Sequence, residues 1–101
     1  MPQQIDDEVE ALLYKIKEIQ GAQSVLYDRE LTPVDEIQDM NTLIGKLQAD
    51  LSALLTKPSV PAINPARRTA IVNAANALEH ARMASAAASA VLAAATELAK
   101  A

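Results

Sequence analysis

Arg67, Arg68 and Thr69 follow Asn64-Pro65, a pair that suits the opening of a helix. Arginine is electrostatically misplaced there, because the start of a helix is the positive end of its dipole and favours acids. Two arginines in a first turn make sense where an anion rests on them, beside backbone N–H groups that lack intrahelical acceptors. Each guanidinium can hold a phosphate through two parallel hydrogen bonds. The alternative is that Arg67 and Arg68 pair with acids of the preceding helices. Tyr14 with Lys17, and Tyr27 with Arg29, set an aromatic ring close to a cation. That is the minimal equipment for a stacked base beside its phosphate. The same tyrosines would also serve as partly buried residues with a wet hydroxyl. Asn73 and Asn76 would read a base edge or fix register if buried at an interface.

Other chemistry finds little to work with. There is one histidine, His80, and no cysteine, so neither a thiolate metal site nor a disulfide can form. His80 reads as a polar residue of the bundle surface beside Glu79. Asp6, Asp7, Glu8 and Glu10 match no calcium loop and suit a solvated helix start. Ser85 and Ser89 lack a local base, and serine in such a helix bonds its own backbone. The chain therefore reads as a non-enzyme with no cofactor and no metal.

The elements that must position these residues are helices. Ile5, Val9, Leu12, Ile16 and Ile19 step by four and three residues, laying an apolar seam along a first helix over about 4–28. Gly21 is a place for a kink or a stop. Thr32-Pro33 supplies a cap and a first helical residue for a second helix over about 33–56, with the seam Ile37, Met40, Ile44, Leu47, Leu51 and Leu54. Lys57-Pro58 stops it, and three prolines between 57 and 65 make a stiff extended connector. A third helix is expected over about 65–99, with alanine at sixteen of the last thirty-six positions and neither proline nor glycine after Pro65. This predicts an all-α fold: a three-helix antiparallel bundle, or helical hairpin, with a long alanine-rich C-terminal helix, in a single domain over 1–101.

Size and charge narrow the class. With 101 residues, no Phe or Trp and only two Tyr, the chain has little bulk to bury. Alanine around the whole third helix offers more than one packing face, which predicts a homo-oligomer. The net charge of −4 argues against a broad nucleic-acid surface, yet leaves room for a small phosphate ligand. Eleven of the thirteen acids precede residue 51, so Arg67, Arg68 and Arg82 belong to a far less acidic part. The acidic N-terminus is not a signal peptide, and the most apolar stretch, fourteen residues, falls short of the ~20 needed to span a bilayer. A cytoplasmic location with no membrane partner is expected.

The segment from Arg67 to Ala88 resembles a helix of phage proteins that sequester cyclic-nucleotide immune signals, the anti-CBASS and anti-Thoeris sponges. Leu78-Glu79, Ala81, Met83 and the alanines after it carry the likeness, and the aromatic that usually follows the Met is here Ala84. The resemblance implies a helical homo-oligomer, a hexamer in that family, holding a cyclic di- or trinucleotide uncleaved between subunits. By residue type, Tyr14 with Lys17 or Arg29 would meet a base and its phosphate. Arg67, Arg68 and Thr69 would line a more central phosphate site. The competing expectation is a helical structural or interaction protein (an adaptor, assembly chaperone or inhibitor) that binds a protein partner through its heptad faces.

Overall fold

Asp7 caps the first helix. Its carboxylate accepts the Glu10 N–H at 2.9 Å and its carbonyl accepts the Ala11 N–H at 3.0 Å. From there α1 (Glu8–Tyr27) runs unbroken through Gly21. In the computed structural model, which describes residues 5–29, 31, 33–84 and 86–101, three more helices follow: α2 (Val34–Leu55), α3 (Pro65–Met83) and α4 (Ala88–Lys100). The start of α1 differs from the expected one because Ile5 and Asp6 are drawn out of the helix. Ile63 N–H donates to the Asp6 carbonyl and Glu8 N–H to the Pro61 carbonyl, both at 3.0 Å. The proline connector thereby forms a one-residue antiparallel bridge, Asp7 to Ala62, and buries Ile5 and Ile63. Thr32, expected to cap α2, lies outside the described residues. Pro33 holds the cap position itself, its carbonyl accepting from Ile37 N–H at 3.0 Å.

The expected third helix is two helices. It ends at Ala84, where Ala84 N–H bonds the His80 carbonyl and Ala86 N–H reaches back to Ala81. The chain then reverses into α4. No glycine or proline marks the break, and the reason is the phase of the apolar residues. Ile71, Ala75 and Leu78 form the buried stripe of α3, and Val91, Ala95 and Leu98 that of α4. At about 100° per residue, the thirteen positions from Leu78 to Val91 turn a continuous helix by about 220°. One rod would set the two stripes on nearly opposite faces. Folding back lets both enter one core, where burying Val91 and Leu98 gains about 1.5–3 kcal/mol each. α4 thereby packs against α1 and α2 as well as α3.

The helices alternate in direction. α1 packs against α2, α3 and α4, and α4 against α1, α2 and α3, while α2 and α3 do not pack on each other among the described residues. The connector over 56–64 therefore crosses the bundle end diagonally. The core consists of Ile5 and Ile63, the α1 residues Ala11, Leu12, Ile16, Ile19, Ala22 and Leu26, the α2 residues Ile37, Met40, Ile44 and Leu47, and the two stripes above. Gln23 ties α1 to α2, donating to the Asn41 side chain at 2.5 Å and the Ile37 carbonyl at 3.3 Å. No helix is long and apolar enough to cross a membrane.

Candidate functional site

The alternation brings the starts of α1 and α3 to one end of the bundle with the ends of α2 and α4. A cleft of about 460 Å³ opens there. Leu12, Leu47, Leu54 and Pro61 line its apolar walls. Its charged lining is Lys15, Lys57, Arg67 and Lys100 against Glu8 and Asp50. Four of the chain's nine basic side chains thus meet two acidic side chains here, in a protein of net charge −4. Its size falls within the range of about 300–1,000 Å³ usual for small-molecule sites.

Lys15 forms the floor. It sits on the core-facing stripe of α1 between Leu12 and Ile16 and is only 3% exposed. Its Nζ donates to the Ala101 carbonyl at 2.7 Å and the Ala99 carbonyl at 3.4 Å. These carbonyls belong to the C-terminal turn of α4, the negative end of its dipole, so the ammonium is held where a cation is favoured. Burial lowers the Lys15 pKa, partly offset by the charge of Asp50. Lys57 and Lys100 are exposed on the rim and have no carboxylate within ion-pairing distance among the described residues.

Arg67 and Arg68 occupy the first turn of α3, capped by Asn64, whose side chain accepts the Arg67 N–H at 2.8 Å. Arg67 pairs with Glu8 on the cleft wall. Arg68 turns away from the cleft to donate from Nε to the Ile5 carbonyl at 3.0 Å and from Nη2 to Asp6 at 3.2 Å. Both arginines therefore meet acids, Glu8 in the first turn of α1 and Asp6 just before it, the pairing weighed against anion binding in the sequence. Arg68 fastens the segment before α1 to α3. Thr69 is exposed and donates to the Pro65 carbonyl at 3.0 Å, within its own helix.

The other expected ligand residues lie elsewhere. Tyr14 is half-buried between α1 and α3; burial raises its hydroxyl pKa, helped by Glu18 and Glu79. Lys17 is exposed one turn on. Arg29 follows α1 at the opposite end, twenty-one positions beyond Glu8, which is about 30 Å at 1.5 Å per residue. Within one chain, then, only Arg67 of the six expected residues lines the basic cleft. Tyr27, Asn73, Asn76, His80 and Ser89 are exposed, and Ser85 lies outside the described residues. Among the described residues no three His, Cys, Asp or Glu side chains gather as metal ligands do.

Sequence reasoning missed Lys15, Lys57 and Lys100. Lys15 left a signal, a charge inside the apolar seam. Lys57 and Lys100 left none beyond standing near helix ends. No family model matches the chain, and no curated protein or solved structure is significantly similar to it.

Proposed function

We propose that the protein binds a small phosphate-bearing ligand in the basic cleft and holds it without chemical change. The observation that carries this reading is the convergence of Lys15, Lys57, Arg67 and Lys100 on one cleft of an acidic protein. Uneven charge of this kind draws a compact anion into a local site while the rest of the surface repels long nucleic acid. The ligand class we favour is a cyclic di- or trinucleotide, in keeping with the likeness of Arg67–Ala88 to phage sponge proteins. The cleft would take one nucleotide unit and its phosphate. The remainder would reach a second copy of the chain, and in a hexamer Tyr14, Lys17 or Arg29 of one copy would complete a pocket with Arg67, Arg68 and Thr69 of another.

The test is a thermal-shift screen against cyclic di- and trinucleotides, with linear nucleotides as controls. Ligand at a hundredfold excess over Kd stabilises by about 2.7 kcal/mol, which raises Tm by roughly 10–20 °C in a domain of this size. The bound nucleotide should be recovered intact after heating. Absence of a shift across the panel, or recovery of cleaved nucleotide, refutes the proposal.

A second reading, a helical interaction protein, draws on the opposite end. There Tyr27, Leu31 and Val34 beside the α1–α2 turn and Met83 at the end of α3 are exposed, Leu31 by 87% and Met83 by 74%. Under this reading, Leu31→Asp and Met83→Asp abolish capture of a protein partner without changing Tm, and no cyclic nucleotide shifts it.

A further inference from the structure

The pair on the cleft wall carries more than a structural contact. Glu8 and Arg67 both line the cleft, and their side chains are 20% and 36% exposed. Solvent, and anything dissolved in it, reaches the pair. Glu8 is also not needed as an acid to start α1. Asp7 caps the helix, and the Glu8 contact with the connector is made by its backbone N–H, which any residue but proline supplies. Besides its place at the positive end of the α1 dipole, the carboxylate has no partner but Arg67 among the described residues. A carboxylate and a phosphate oxygen pair present the same two-acceptor edge to a guanidinium.

We infer that Glu8 holds the place of the ligand's phosphate: its carboxylate occupies Arg67 in the free protein and is exchanged for phosphate oxygens on binding. The inference rests on the proposed binding function and deepens it by naming a specificity-determining residue. The displaced carboxylate turns outward to water, and the incoming phosphate gains Arg67 with Lys57 and Lys100 at the rim. Lys15 stays fixed below, two of its three donors committed to α4. An uncharged ligand gains nothing from Arg67 to offset the separation of Glu8, whereas a phosphate does, so Glu8 biases the cleft toward phosphates by up to about 1 kcal/mol.

Inorganic pyrophosphate is the probe, titrated calorimetrically at low ionic strength into the full chain and its variants. A part-exposed ion pair contributes up to about 1 kcal/mol, so Glu8→Gln is expected to bind pyrophosphate roughly fivefold more tightly. Glu10→Gln removes the same charge from the same turn and should leave affinity unchanged. In an Arg67→Ala background the gain from Glu8→Gln should vanish. Circular dichroism confirms that each variant is folded. An equal gain from Glu10→Gln, a gain that survives Arg67→Ala, or no binding by Glu8→Gln overturns the exchange. The cyclic-nucleotide screen judges the parent reading separately. A panel that shifts the wild type while Glu8→Gln gains nothing removes this inference alone.

Discussion

Replacing Lys15 separates the two things its side chain does. The stem is packed among core residues, since the whole residue is 3% exposed, and the ammonium clasps the last carbonyls of α4. Lys15→Ala removes three buried methylenes, worth about 0.8 kcal/mol each. It also removes a charge-assisted contact worth about 1.5–3 kcal/mol. Against this stands relief from burying a charge, which costs several kcal/mol and largely cancels the value of the contact. The methylene loss and the void left behind therefore dominate, and Lys15→Ala should cost about 2–4 kcal/mol. That is a large fraction of the roughly 5–15 kcal/mol expected of a domain this size. Lys15→Met keeps most of the stem and drops the charge, so it should lie within about 1 kcal/mol of the wild type. Urea denaturation followed by circular dichroism reads both values. A Met variant as unstable as the Ala variant would show that the clasp, not the packed stem, holds α4. An Ala variant within about 0.5 kcal/mol of the wild type, the range of ordinary surface changes, would refute the burial itself.

Two glycines lie inside helices, and both should accept alanine with profit. A Cβ at Gly45 meets nothing within 4 Å, so Gly45→Ala should stabilise by about 1 kcal/mol, seen as a higher urea midpoint at unchanged slope. A Cβ at Gly21 would lie 2.5 Å from Nη1 of Arg82, the far end of a flexible side chain, so Gly21→Ala should gain a smaller amount once Arg82 swings aside. In alkali, Tyr14 and Lys15 pull in opposite directions. The Tyr14 pKa is raised above 10.0 in the folded state, so the unfolded chain loses its proton first and stability falls as pH climbs past 10.0. The Lys15 pKa is lowered below 10.5, so the unfolded chain holds the extra proton and stability rises with pH up to 10.5. Urea midpoints between about pH 8 and pH 11 should show the falling arm gone in Tyr14→Phe and the rising arm gone in Lys15→Met, with both arms resting on these two groups.

The helical content was legible because each seam is local. Ile37, Met40, Ile44 and Leu47 are all buried, as their 3-4 spacing demands. The connector after Lys57-Pro58 follows as directly, since proline can neither continue α2 nor supply its hydrogen bonds. The break at Ala84 was harder to see because alanine favours helix at every position and no residue type forbids it. The decisive quantity is the angle between Leu78 and Val91, which no single residue carries. Propensity describes how readily a rod forms, whereas the sum of buried area decides whether it stays one piece.

The cleft was less legible than the fold for a related reason. Its lining comes from four helix ends, and their meeting depends on the reversal after Met83, without which α4 could not return Ala99 and Lys100 to the level of Lys15. The reversal also sets the fate of the arginines. Arg67 and Arg68 stand beside Glu8 and Asp6 because α3 starts at the same end as α1, and that shared end makes Arg67 both an ion-pair partner and a wall of the cleft. Pairing with an acid and receiving an anion, alternatives in the linear sequence, would be two states of one guanidinium under the proposed exchange, with Glu8 the residue a phosphate must displace.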